Sequence, residues 1–185
     1  MPRPIAYDAE QVLENALTQF WDEGFKRSSV DAIVAATALN KHSLYQSFGG
    51  KNGLFLQVLA HYRDHYGQRY LDILEQGQGL AALRAYFNEI LGRTERRGCL
   101  LINTAIELGS ADPHCQRLLT DYYDRIAAAF ARALRQGQAE GSVRVGLEPD
   151  ATARWLLRTL QGVSVGARLG EKGEPVDHLL ALLKP

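Results

Sequence analysis

The sequence is poor in most features that announce a special environment. It has two cysteines in 185 residues, Cys99 and Cys115. That is too few for a disulfide framework and points to a reducing, cytoplasmic setting. No apolar run approaches the roughly 18–20 residues needed to cross a bilayer, so neither a transmembrane segment nor a membrane partner is expected. The start, Met1 to Asp8, lacks a charged stretch followed by an apolar one, so export is not expected. Neither charge is in excess: 21 Lys+Arg face 21 Asp+Glu. This balance speaks against coating nucleic acid by bulk electrostatics, but it leaves room for a small basic face. β-branched residues are scarce, with 9 Val and 7 Ile against 27 Leu and 23 Ala, which favours helix over strand.

What is present agrees. Hydrophobic residues make up 46% and charged residues 23%, as in a folded globular chain. Apolar positions recur at helical spacing, and the punctuation predicts an all-α chain of about nine helices. The first runs from about Asp8 to Glu23 and stops at Gly24. A short second follows Ser28-Ser29 and ends near Thr37. A short third follows Asn40, an N-cap residue, and ends near Phe48. Gly49-Gly50 breaks the chain before a long fourth helix, about Lys51 to Leu74. The fifth spans about Leu80 to Arg93, and the sixth, Cys99 to Leu108, is apolar on most sides. Asp112-Pro113 opens a long seventh to about Gln136. Glu148-Pro149 opens an eighth to about Ala167, and Val176 to Leu183 closes the chain. Ser142 to Val145 reads as a loop.

Residues 8–48 are laid out long, short, short, the order of a helix-turn-helix DNA binder. Ile33, Val34, Leu39, Leu44 and Phe48 form an inward face. Lys41, His42, Ser43, Tyr45, Gln46 and Ser47 are left outside, short and hydrogen-bonding as groove readout requires. Charge is unevenly placed. Residues 1–23 carry Arg3 against Asp8, Glu10, Glu14, Asp22 and Glu23. Residues 24–51 carry Lys26, Arg27, Lys41 and Lys51 against Asp31 alone, four minus one, a net of +3. A plain helical bundle with a solvated charged face remains the alternative on these signals.

The stretch Val12 to Tyr62 resembles the DNA-binding domain of TetR-family transcriptional regulators. The resemblance rests on Ala16-Leu17, Phe20, Gly24-Phe25, Ser28-Ser29-Val30 and Ile33. It continues through Leu39-Asn40-Lys41, Ser43-Leu44-Tyr45, Phe48, Lys51 and Leu54. It implies base or phosphate contacts from Lys41, His42, Ser43 and Gln46. It also implies backbone clamps from Tyr45 and Lys51, with Ser28 and Ser29 helping. Arg3, on an arm, would reach the minor groove. Against these stand a core role for Tyr45 and a disordered tail around Arg3. This chain departs from the family pattern at Ala38 and His42, where glycine is common. It departs again at Asp31, which suits a helix N-terminus but repels phosphate. Ala38 implies either a turn without positive φ or a strained one.

The resemblance implies that residues 1–50 form the DNA-binding domain, with 51–74 as a linking helix. Residues 75–185 then serve dimerisation and effector binding. Small residues on the eighth helix and the apolar stripe of the seventh suggest a four-helix interface between two copies. It would use Tyr122, Ile126, Phe130, Leu160, Gly162, Val163 and Gly166. Packing of both stripes within one subunit is the alternative. Residues 96–108 resemble a Gly-Cys-Leu-…-Asn-Thr-Ala-…-Glu-Leu stretch of one TetR subgroup, in which some members answer to electrophiles, oxidants or metal. Cys99 follows Arg96 and Arg97 at a helix start, two features that favour a reactive thiol, although a cysteine beside Leu100 and Leu101 also reads as core. An effector pocket would be lined by Tyr62, Tyr66, Phe87, Ile90, Ile102, Ile106 and Trp155. His61 and His65 have ligand spacing but no local third ligand, so no metal site and no cofactor is expected. The partners implied are double-stranded operator DNA, a second copy and a small-molecule effector. The function implied is a repressor on a near-palindromic operator. A non-DNA-binding adaptor dimer and a helical-bundle enzyme are the rival classes, and no catalytic constellation supports the latter.

Overall fold

A computed structural model describes residues 7–93, 96–109, 111–171 and 175–185. All regular structure among these residues is helical. The helices are α1 (Ala9–Arg27), α2 (Val30–Thr37), α3 (Lys41–Phe48), α4 (Gly50–Tyr62), α5 (Gln68–Gln76), α6 (Gly79–Leu91), α7 (Leu100–Leu108), α8 (Pro113–Ala139), α9 (Pro149–Leu169) and α10 (Val176–Ala181). A π-helical turn, Arg63–Gly67, joins α4 to α5, so the two make one rod.

The helix starts have identifiable causes. Asp8, Ser29, Asn40, Asp112 and Glu148 each accept main-chain N–H bonds from the first turn that follows them. Each such cap contributes about 1 kcal/mol. Gly24 breaks α1, with φ 79° and ψ 169°, and one further turn leads on to Arg27. Gly49 closes α3 in the left-handed region. Gly53 lets α4 leave that corner, because a Cβ there would lie 1.8 Å from the Phe48 carbonyl oxygen. Ser142 to Val145 is a turn, with Val143 buried and Arg144 N–H donating to the Leu183 carbonyl.

One apolar core runs through the chain. In the N-terminal bundle Ala16, Leu17 and Phe20 of α1 meet Ile33 of α2, Leu44 of α3 and Leu54 and Val58 of α4. Beyond it, Tyr86 and Phe87 of α6 pack with Phe130 of α8. Ile126, Leu134, Leu156 and Leu160 fill the α8–α9 seam. Full burial of each such side chain is worth about 1.5–3 kcal/mol. The two parts meet where α7 packs on α1 and α4 lies against α8. Trp21 marks the junction, its indole N–H donating to the Gly98 carbonyl at 3.2 Å.

Candidate nucleic-acid interface and sensor cavity

The reading head is built from its caps outward. Asn40 holds the start of α3 by accepting from Ser43 N–H at 2.8 Å. Leu44 and Phe48 are buried, so residues 41, 42, 45 and 46 are forced to the outer face. Ser43 is half-buried. Tyr45 is 58% exposed, which removes the core alternative, and its ring lies over Gly50. Gly50 has φ +86°, and a Cβ there would meet the Tyr45 ring at 2.8 Å. The clamp position of Tyr45 therefore depends on that glycine.

Charge at the head is locally arranged. Lys41 Nζ lies 2.7 Å from Asp31 Oδ1, and this carboxylate raises the lysine's pKa. Both groups are exposed, so the pair adds little stability. It does hold Lys41 across the gap between α2 and α3. Lys51 Nζ stands 4.4 Å over the Phe25 ring, a cation–π contact that fixes the ammonium at the α1–α4 corner. Ser29 is exposed and occupied as the α2 cap, accepting from Ala32 N–H at 3.1 Å. Ser28 differs from expectation. It is fully buried, and its hydroxyl donates back to the Gly24 carbonyl at 2.7 Å, so it holds the corner and cannot reach phosphate. Arg3 lies outside the described residues. Ala38 has φ 56° and ψ 14°, the strained of its two readings.

Cys99 stands at the N-cap position of α7 beside a small cavity of about 50 Å³. Tyr62 hydroxyl donates to its sulfur at 3.7 Å, and Cys99 N–H donates to Ser164 Oγ at 2.8 Å. Tyr70, Tyr86, Tyr122 and Tyr123 complete the wall. Burial pushes the Tyr62 and Tyr86 hydroxyls well above the usual phenol range. Tyr123 hydroxyl is buried without a hydrogen-bond partner. The flanking arginine Arg97 turns away from the thiol, binding Asp22 at 2.9 Å and covering Trp21. Cys115 is a buried free thiol, pushed up to about 11 chiefly by burial.

The residues expected to line a pocket are split by the fold. Tyr62 and Ile102 reach the Cys99 cavity. Ile90 lines it too, and also a broader groove of about 830 Å³ between α6, α9 and α10, which Phe87 lines as well. Tyr66 is placed elsewhere, its hydroxyl donating to Glu14 of α1 at 3.0 Å. Ile106 (68% exposed) and Trp155 (75%) face outward and line neither the Cys99 cavity nor the groove. The expected dimer residues divide likewise. Tyr122, Ile126, Phe130 and Leu160 are buried inside the subunit, and Gly166 lies under Glu171. Val163 lines both the cavity and the groove, and Gly162, where a Cβ would meet nothing within 4 Å, borders the groove. His61 is buried and bonds Glu14 at 2.6 Å, with His65 beside it. Among the described residues no three His, Cys, Asp or Glu side chains form a group that could hold a metal. No helix among the described residues is long and apolar enough to cross a membrane.

The sequence reading left out the Asp31–Lys41 pair and the tyrosine wall, and on α9 it named an interface through Gly162 without Trp155 and Leu169 on its outer face. The last had a signal: Trp155, Gly162 and Leu169 recur every seven residues.

Two family models match the chain: "Bacterial regulatory proteins, tetR family" over residues 12–58 and "Tetracyclin repressor-like, C-terminal domain" over residues 79–183. The HTH-type transcriptional repressor DhaR of Mycobacterium sp. (strain GP1) is 26% identical over 176 residues, 94% of this chain and 89% of the relative. The HTH-type transcriptional repressor ComR of Escherichia coli (strain K12) is 28% identical over 183 residues, 96% of this chain and 87% of the relative. Among solved structures, a cysteine-substituted TetR-family regulator CifR, complexed with 26-base-pair double-strand operator DNA, superposes with a TM-score of 0.80. It is 28% identical, with 97% of this chain and 95% of that one covered.

Proposed function

The chain belongs to the TetR family of DNA-binding transcriptional regulators and is not an enzyme, and on that premise we propose how it works. It is a repressor that binds a near-palindromic operator as a homodimer and releases it when an effector occupies the C-terminal region. The observation that carries this reading is the α2–α3 head. Its outer face presents Lys41, His42, Tyr45 and Gln46 over a buried base of Leu44 and Phe48. Residues 1–50 act as the head, 51–74 as the link and 75–185 as the sensor and dimer region. Lys41, His42, Ser43 and Gln46 reach base edges or phosphates, and Tyr45, Lys51 and Ser29 grip the backbone.

The dimer face is α9. Trp155, Gly162 and Leu169 lie along one side of it, with Val165 beside them, and Trp155 and Leu169 are 75% and 73% exposed. Exposed apolar side chains along one side of a helix seat a twofold copy of the same face. Two heads then sit roughly 34–36 Å apart, one turn of DNA or somewhat more.

The effector site is the Cys99 cavity together with the adjoining groove. An activated alkene suits it best: the sulfur bonds to one alkene carbon as the carbon–carbon π bond opens, and the thiol proton ends on the other carbon, so nothing leaves. The adduct then crowds a space of about 50 Å³ and displaces the tyrosine wall. The π turn faces this wall, with Tyr122 hydroxyl donating to the Gly67 carbonyl at 3.3 Å, so a shift there bends the rod that carries the head. Gel retardation of the protein's own upstream DNA tests the whole reading. Specific retardation that N-ethylmaleimide abolishes in wild type, but not in Cys99→Ser, supports it. Equal retardation of unrelated DNA overturns the repressor, and equal sensitivity of the two proteins overturns the electrophile.

A further inference from the structure

The helix that begins at the Cys99 cavity ends on the reading head. Glu107, in the last turn of α7, places its carboxylate over the break in α1. Oε2 accepts from Phe25 N–H at 2.9 Å, and Oε1 accepts from Lys26 N–H at 2.6 Å. These two donors follow Gly24, where the helical ladder is interrupted, and a new turn leaves its first N–H groups without intrahelical acceptors. A carboxylate is well suited to that position by charge and by dipole. The fit is close, since a Cβ at Gly24 would stand 2.8 Å from Glu107 Oε2. The gripped turn runs straight into the α1–α2 corner, where Ser28 N–H and hydroxyl both donate to the Gly24 carbonyl. Ser29 then caps α2, which leads into α3.

We infer that Glu107 is a positioning residue for operator binding, seated outside the DNA-binding bundle. Its bidentate grip on Phe25 and Lys26 fixes the α1–α2 corner and so sets the pitch at which α2 and α3 meet DNA. No DNA contact is required of it. This rests on the reading of α2–α3 as the operator head.

Two measurements on the full-length protein separate the outcomes. Hydrogen exchange reads the grip without DNA. Glu107→Ala speeds exchange at the Phe25 and Lys26 amides at least tenfold while α8 and α9 keep their protection, and Glu107→Gln, which keeps an acceptor, falls between. Unchanged exchange at both amides overturns the inference. Fluorescence anisotropy on operator DNA reads the consequence. Glu107→Ala raises the Kd about tenfold with an unchanged salt slope, because no phosphate contact is lost, and Glu107→Gln recovers part of it. A folded Glu107→Ala that binds within twofold of wild type overturns the positioning role. Absence of specific binding by wild type overturns the operator reading instead, and the exchange result then still decides the grip.

Discussion

Replacing Ala38 with glycine stabilises the protein by relieving the strained turn of the head. Ala38 stands at φ 56° and ψ 14° at the end of α2 and is the one non-glycine residue with positive φ among those described. The left-handed conformation costs an L-residue about 1–2 kcal/mol through its Cβ. Glycine removes that cost but loses about 0.4–1 kcal/mol by freeing the unfolded chain. Ala38 is exposed, so its methyl group contributes little packing. The balance is a gain of about 0.5–1 kcal/mol, or roughly 1–4 °C in Tm for a chain of this size. Urea unfolding followed by circular dichroism, at one fixed protein concentration, reads it as a higher midpoint with the same slope. Operator affinity stays within twofold, since the turn keeps its shape. A lower midpoint refutes the reasoning, because it means that the methyl group is packed or that the turn lies elsewhere in φ and ψ.

Further outcomes follow from the same geometry. Asp31→Asn releases Lys41 from its partner and strengthens operator binding by roughly three- to tenfold at low salt, less at high salt, as an anisotropy titration shows; weaker binding contradicts a phosphate role for Lys41. Lys41→Ala with Lys51→Ala flattens the salt dependence of log K by up to about 3–4, at roughly 0.9 per phosphate contact and four contacts per dimer. An unchanged slope removes both lysines from the interface. Iodoacetamide at pH 8 labels Cys99 but not Cys115, whose buried thiol is pushed up to about 11, and mass spectrometry of the native protein decides between them. Trp155→Glu shifts sedimentation from dimer to monomer by at least about 2 kcal/mol of association energy. A variant that remains dimeric moves the interface away from α9.

Much of the fold is legible in the residues alone. Gly24, Asn40, Asp112-Pro113 and Glu148-Pro149 act locally, through backbone freedom and capping, so short-range sequence reports them faithfully. The outer face of α3 was legible because Leu44 and Phe48 fix which side is in. The long helices were harder. On α8 the stripe Tyr122, Ile126, Phe130 marks an apolar face, but periodicity does not say whether a helix of the same subunit or of a second copy covers it. The fold covers it within the subunit, Tyr122 against Gly67 of the π turn and Phe130 against Tyr86 and Phe87 of α6. Trp155 shows the converse, since an aromatic residue on a helix reads as interior until its neighbours are placed. Charges joined across elements, Asp31 with Lys41 and Glu107 with the main chain at Phe25 and Lys26, carry no spacing signal at all. Balanced net charge likewise hid its meaning: acid and base are segregated, with α1 acidic and the residues flanking α3 basic.

The measurement closest to the central claim is a salt titration of the wild-type protein against its own upstream DNA and against a scrambled duplex, read by fluorescence anisotropy with stoichiometry. The account predicts two protomers per specific site, a clear preference over the scrambled duplex and a log–log slope set by a few phosphate contacts per protomer. Equal affinity for both duplexes, or binding indifferent to salt, would contradict it.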